Sequence, residues 1–239
     1  MTFYFTKNTP VTHYLLVLFF LSLMPYNKIV SQGFQVNLQG QKQQGMGSAG
    51  TGLITDGAGL FYNPGTVVFL DESSINAACT PTFANTSYLD LETQQNFKTV
   101  SPVATPFSFY GLFQLKKHAK LKLGLAAYTP FGSTVEWEDE WIGRFALTRL
   151  QLRAIFIQPT ISYRLADNIG FGIGLVISTG SVNLQKDIPI QFDDGRFAKA
   201  ELAGKATSYG LNAGIYYEPN PKLSIGLNYR SKITIQLAP

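Results

Sequence analysis

Residues 223–237 read Leu-Ser-Ile-Gly-Leu-Asn-Tyr-Arg-Ser-Lys-Ile-Thr-Ile-Gln-Leu. Every odd position except Ser231 is aliphatic or aromatic, and every even position is polar or glycine. Successive side chains of a strand point to opposite faces, so this stretch predicts a β-strand with one oily face and one polar face. The oily face runs further than the five or six residues of a usual strand.

The pattern recurs upstream. Leu211, Ala213, Ile215 and Tyr217 stand opposite Gly210, Asn212, Gly214 and Tyr216; Ile169, Phe171, Ile173, Leu175 and Ile177 stand opposite Gly170, Gly172 and Gly174. Four more segments carry it: 150–165 with Ile155, Ile157, Ile161 and Tyr163, 120–129 with Leu121, Leu123, Leu125 and Ala127, 105–115 with Phe107, Phe109, Phe113 and Leu115, and 73–88. The total is about seven strands, several reaching the roughly 9–11 residues a tilted strand needs to cross a bilayer. Connections around Lys116 to Ala119, Ala166 to Asn168 and Pro219 to Pro221 are tight, while those at about 89–104, 130–149 and 187–205 are long. Alternating short and long connectors predict an all-β, antiparallel up-and-down barrel in a membrane. Tyr88, Tyr128, Trp137, Trp141, Tyr163 and Tyr229 are candidates for its interfacial girdles. A soluble β-sandwich is the competing fold, since its half-buried strands alternate too.

Composition agrees with the membrane reading. Charged residues are 14% of the 239-residue chain, against about 25% in an average protein, yet beyond the first thirty residues no apolar run is long enough for a helical span. The apolar run from Tyr14 to Met24, preceded by Lys7 and His13, has the length of a secretory signal core. Residues 1–31 are therefore expected to be a cleaved signal peptide. The net charge of +4 lies partly in that signal and in the turn at Lys116, Lys117 and His118, and points to no nucleic-acid partner. Cys79 is the single cysteine, so an intrachain disulfide is excluded.

Residues 32–70 break the alternation. They are rich in Gly and Gln, with apolar residues such as Phe34, Leu53, Ile54, Leu60, Phe61 and Tyr62 that need burial. The order Gly33-Phe34-Gln35, Gly45-Met46-Gly47-Ser48-Ala49-Gly50, Asp56-Gly57-Ala58-Gly59 and Asn63-Pro64-Gly65 resembles the N-terminal hatch of the FadL family, which reads Asn-Pro-Ala at the last of these. Leu211-Asn212-Ala213-Gly214-Ile215, Asn228-Tyr229-Arg230-Ser231, Tyr163-Arg164-Leu165 and Phe171-Gly172-Ile173-Gly174 extend the resemblance over the strands.

That resemblance implies an outer-membrane channel of bacteria for long-chain fatty acids or other hydrophobic small molecules, with residues 32–70 as a plug and 71–239 as the N-terminal half of a barrel of about fourteen strands. Such a half is not expected to work as a channel alone, because the open edges would leave backbone groups unpaired in lipid. The mechanism implied is passive uptake, hatch rearrangement and lateral release into the bilayer. Phe34, near the mature N-terminus, is the expected ligand contact. Asn63, Pro64 and Gly65 are expected to hold the hatch. Tyr128, Thr129, Pro130, Phe131 and Gly132 would form the lateral opening, since Pro130 lacks an N–H and interrupts strand pairing; the alternative is that Pro130 simply ends the strand. Arg153, Arg164, Lys186 and Arg230 are candidates to meet a carboxylate head group, and a neutral ligand stays open.

Other functions have weaker support. Gly45, Gly47 and Gly50 spell a dinucleotide fingerprint with Asp71 at its acidic position, but no strand precedes and no βαβ unit surrounds them. His118 falls in a tight turn, away from any Ser or Asp partner, so no catalytic residue is assigned. Glu136, Glu138, Asp139 and Glu140 read as a solvated loop and no metal site is assigned. No cofactor is called for; the expected partners are a hydrophobic ligand and outer-membrane lipid. The alternative function is a non-transporting structural or adhesive outer-membrane barrel, with an outer-membrane hydrolase third.

Overall fold

The computed structural model describes residues 39–115 and 117–235. Seven antiparallel strands form one sheet in the order β1 (Ser74–Cys79), β4 (Phe107–Gln114), β5 (Leu121–Glu136), β6 (Arg149–Ala166), β7 (Ile169–Gln191), β8 (Phe197–Asn220) and β9 (Leu223–Arg230). From β4 onward each strand pairs with the next in sequence, the up-and-down order that the short turns allow. The sheet is open, with β1 and β9 at its edges. β2 (Ser87–Leu89) and β3 (Asn96–Lys98) form a separate hairpin.

The alternation sets two unlike faces. Leu123, Leu125, Ile155, Ile157, Ile161, Ile173, Leu175, Leu211, Ile215, Leu227 and Tyr229 are all exposed on one face. The opposite face carries buried Tyr110, Leu112, Ala126, Tyr128, Phe156, Gln158, Ser162, Val176 and Asn212. A soluble sandwich would turn the aliphatic stripes into its core; here they point away from it, which removes the sandwich reading. The face of polar and small residues is the inner one, because residues 39–70 lie on it.

That segment contains helix α1 (Gln41–Gly45), helix α2 (Gly59–Tyr62) and a 3-10 turn, Val67–Phe69. Ala58, Leu60, Phe61, Tyr62 and Val67 join the wall residues Tyr110, Leu112, Ala126, Tyr128, Ala154, Phe156 and Val176 in a single core cluster. Glycine makes the approach possible: a Cβ on Gly172 would fall on the Pro64 carbonyl, and one on Gly214 on the Asn63 side-chain oxygen.

Several boundaries differ from expectation. The segment 73–88 is not one strand: β1 stops at Cys79, and residues 87–89 pair with 96–98 instead. The connection expected at 187–205 is largely strand, because β7 and β8 extend to 23 and 24 residues, and the one expected at 130–149 is shortened to 137–148, because β5 continues to Glu136. These lengths are about twice what a bilayer requires, so the hairpin's pairing continues past the apolar band. Alternation at 231–237 predicts strand, yet β9 ends at Arg230; Ile233 turns toward Gly210 and Ile235 toward Gly180 on the inner face. Tyr128 is 2% exposed on the inner face and so is not a girdle residue. The signal segment lies outside the described residues.

Candidate functional site

The turn at Asn63, Pro64 and Gly65 fastens segment to wall. Asn63 is fully buried; its Nδ2 donates to the Thr51 carbonyl at 2.7 Å and the Ile215 carbonyl at 2.9 Å. Its Oδ1 accepts from the Gly65 N–H at 2.9 Å. Ser162 Oγ donates to the Pro64 carbonyl at 2.7 Å. One amide side chain thus serves three backbone groups, adding a second bond to the Ile215 carbonyl of the ladder and satisfying the Thr51 carbonyl and the Gly65 N–H, which lie outside any strand.

Helix α2 ends against the same wall with its terminal carbonyls free, as every helix does. Gln158 Nε2 donates to the Leu60 carbonyl at 2.7 Å, and Asn212 Nδ2 reaches the Leu60 and Phe61 carbonyls at 3.1 and 3.2 Å. Tyr128 OH in turn donates to Gln158 Oε1 at 3.0 Å, and Asn228 Nδ2 to Asn212 Oδ1 at 2.8 Å. Arg230 closes the cluster. Its guanidinium lies 3.5 Å from the centre of the Phe61 ring and donates to the Phe61 carbonyl. The result is a cationic and phenolic patch between Tyr62, Tyr110, Tyr128 and Phe61, with Phe61 edge-on to Tyr128 at 5.1 Å. Burial pushes the Tyr62 phenol above its usual pKa, against the Ser48 hydrogen bond and the Arg230 charge. It therefore stays a neutral donor, to the Gln39 carbonyl at 2.8 Å.

Gln39 links this patch to an irregular place in the wall. Its Oε1 accepts from Tyr110 OH at 3.0 Å and its Nε2 donates to the Thr129 carbonyl at 3.1 Å. Thr129 and Pro130 form a β-bulge, two residues facing only Ile155 on β6, with pairing resumed at Phe131 and Ala154. The strand does not end at Pro130; it bends there and goes on, as bulged strands do.

On the β4 side the consequence is larger. Regular pairing stops at Ser108 with Tyr128, where Thr129 Oγ1 substitutes for the backbone by accepting from Phe107 N and donating to Phe107 O. It reappears only at Thr99 with Trp137, beside a bond from Val100 N to the Glu136 carbonyl. Both ends keep one register, so 101–106 runs alongside 130–135 without a single backbone hydrogen bond between them. Pro102, Pro106 and Pro130 supply no N–H there. The other edge of that segment is satisfied, through Thr80 to Pro106 and the mutual pair of Thr82 and Ala104.

The four basic residues separate. Arg230 faces the segment, and Arg164 lies over the Phe69 ring at 4.8 Å while donating to the Asp167 carbonyl. Arg153 is on the outward face, because its register partners Gly132 and Ser181 alternate with the inward Ala154 and Gly180. Lys186 stands exposed on the far extension of β7, opposite Ala200. Phe34 lies outside the described residues. Glu136 pairs with Arg149 at 3.6 Å and Glu138 accepts from the Lys98 N–H at 3.0 Å. Among the described residues no group of three or more His, Cys, Asp and Glu side chains is arranged to hold a metal ion.

Gln39, Gln158, Asn212 and Lys122 are site residues that reading the oily face alone misses. For Gln158, Asn212 and Lys122 the signal is a large polar side chain at an inward position of a strand, whereas Gln39, ahead of α1, carries no such signal. Lys122 is 1% exposed and among the described residues its Nζ has no hydrogen-bond partner, with Asp71 and Arg164 acting on it at longer range with opposite sign. Lys122→Met is expected to leave the unfolding free energy from urea titration unchanged or raise it by up to about 1–3 kcal/mol, since an unpaired buried ammonium costs more than a thioether. A lowered midpoint would mean that the attraction to Asp71 outweighs desolvation.

Residues 26–238 match the protein family described as outer membrane protein transport protein (OMPP1/FadL/TodX). The long-chain fatty acid transport protein of Escherichia coli O6:H1 is 24% identical over 230 residues, which cover 86% of this chain and 51% of that protein. A Pseudomonas aeruginosa FadL homologue superposes with a TM-score of 0.64 at 18% identity, covering 84% of this chain and 53% of that one. The P. putida toluene transporter TodX gives 0.61 at 14% identity, with 79% and 54% covered. The chain spans about half the length of these relatives. The structural likeness identifies the open sheet as part of the wall of an outer-membrane β-barrel.

Proposed function

Because the chain belongs to the OMPP1/FadL/TodX family of outer-membrane transport proteins, we propose that it forms part of a channel for passive uptake of long-chain fatty acids or other hydrophobic small molecules. Residues 1–31 act as its export signal. Residues 32–70 act as the hatch, and the unpaired stretch beside 130–135 as the lateral opening.

The observation that carries this reading is the hydrogen bond from Gln39 to the Thr129 carbonyl. The first described residue of the hatch is tied to the wall where β5 loses its neighbour. A ligand that displaces residues near Phe34 therefore pulls on the edge of the opening. Separating two strands normally breaks a ladder of hydrogen bonds, but between 101–106 and 130–135 no ladder has to be broken. An apolar molecule leaves sideways into hydrocarbon there without crossing water, the route that its hydrophobicity favours. Arg230 and Arg164 are the basic side chains placed to meet a carboxylate head. The aromatic rings of Phe61, Tyr110 and Tyr128 suit the tail or a neutral ligand.

The experiment is a reversible crosslink across the opening. The shared register sets Val103 opposite Ser133, so V103C/S133C is made in the full-length protein with Cys79→Ser, which removes the exposed thiol of this part of the wall. Under oxidation, uptake of a labelled fatty acid is expected to fall at least about tenfold, and reductant to restore it. Full uptake through a completely crosslinked wall would rule out release at this place.

A further inference from the structure

The outward face carries a feature that ligand passage leaves unused. On β6 it is apolar from Ile155 to Leu165, ten residue steps that cover about 25 Å at about 3.3 Å per step and a tilt near 40°. That is the height of the lipid-facing band of an outer-membrane barrel. The turns at 167–168 and 221–222 lie at one end of these strands and the longer connections at the other, so the Ile155 end is the external one.

Directly beyond that end stand two cations. Arg153 is paired with Ser181 across β6 and β7, and Ser181 with Lys205 across β7 and β8. The three positions form one row on the outward face, with Arg153 and Lys205 two strands, about 10 Å, apart. Both are exposed, and among the described residues neither has an ion pair or side-chain hydrogen bond. The nearest acidic side chains on this face lie one register row or more above. Glu136 is paired with Arg149 at 3.6 Å, Glu201 accepts from Asn183 Nδ2 at 2.5 Å, and Asp187 stands opposite Lys199.

Below the cations the apolar face is not flat. Pro159 takes an outward position in the middle of β6, where the pairing with β7 lapses between Ile157 and Thr160. A depression of about 590 Å³ lies over that point, lined by Leu123, Leu125, Ile161, Ile173, Leu175 and Leu211 among others. It begins about 20 Å below Arg153 at strand rise, within reach of a chain hanging from a head group held there.

We propose that the outward face of β5 to β8 is a docking site for a phosphorylated lipid of the outer leaflet, with Arg153 and Lys205 holding its phosphates and the depression over Pro159 receiving an acyl chain. The proposal rests on charge complementarity and on continuity with the lipid-facing band. Cations at the rim of a bilayer attract anionic head groups within a Debye length, and guanidinium and ammonium are the side chains that bind phosphate. The site needs the outer-membrane wall and not the transport activity, so either can fail without the other.

The test titrates the full-length protein in neutral detergent with diphosphoryl lipid A, dephosphorylated lipid A and inorganic phosphate, and counts retained lipid by native mass spectrometry. Wild type is expected to retain the diphosphoryl lipid. R153Q/K205Q is expected to retain about tenfold less with fatty-acid uptake unchanged, and the charge-preserving R153K/K205R to keep most of it. Should the double variant fold poorly by its heat-modifiable mobility, Lys205→Gln alone carries the same comparison from an exposed strand position. Equal retention by wild type and the glutamine variants would overturn the proposal. So would equal retention of the dephosphorylated lipid, competition by millimolar phosphate alone, an equal loss in the charge-preserving variant, or a wild-type dimer that disappears on mutation without any bound lipid.

Discussion

Gly172→Val is expected to drive residues 39–70 off the wall. A side chain at this position meets the carbonyl and ring of Pro64, and the neighbouring Gly170 and Gly214 press on Gly65, so no rotamer gives relief. Flexible side chains move out of the way, but here backbone faces backbone. The expected cost is about 3 kcal/mol or more in the docked state. Two readouts follow in the full-length protein: a lower urea midpoint and, if residues 39–70 are the hatch proposed above, faster swelling of proteoliposomes in small sugars. Gly132→Ala is the control, because a Cβ there meets only the Leu152 carbonyl at 3.7 Å, and it should change the unfolding free energy by less than about 0.5 kcal/mol. A Gly172→Val protein with wild-type midpoint and tightness would mean that the turn at 63–65 does not seat against β7.

Asn63→Leu should be nearly as damaging, for a different reason. The substitution keeps the volume, leaves the Thr51 carbonyl and the Gly65 N–H without partners where Asn63 is fully buried, and removes the second bond to the Ile215 carbonyl. At about 1–3 kcal/mol for each of the two orphaned groups, the loss is of the order of 2–6 kcal/mol. Asn63→Asp separates the donors from the acceptor. An ionised carboxylate still accepts from Gly65 but faces two carbonyls, so burial and those dipoles raise the pKa of the introduced carboxyl above its unfolded value. A raised folded-state pKa stabilises below the unfolded pKa, and the contribution is lost as pH rises through the folded one. The Asn63→Asp protein should therefore gain stability relative to wild type as pH falls from 7 toward 4. A pH-independent difference, measured by urea unfolding, would show that the introduced group never titrates in the docked state.

Much of the wall is legible in the order of residues. The odd positions of 169–177, 211–217 and 223–229 face outward, and the turns at 167–168 and, two residues later than the sequence suggests, at 221–222 are tight. The site is legible only as a region. Asn63, Pro64 and Gly65 announce a turn, yet nothing in them names Ser162, Gly172 or Gly214 as the residues they meet. Arg153 and Arg230 look alike in the sequence, and only parity and register send one to the outward face and the other over Phe61. Pro130 reads as a strand terminator; β5 passes it because a bulge absorbs the extra residue and the β6 ladder resumes at Phe131.

The chain alone determined which face of each strand is oily, because side-chain alternation is a property of two successive residues and needs no partner. Tertiary structure alone decided that Gln39 holds Thr129, that Asn63 holds Ile215, and that 101–106 lies beside 130–135 without bonding to it. These contacts join residues as much as 152 positions apart. They depend on strand register and on where the docked segment comes to rest, and neither is written in any local stretch of sequence.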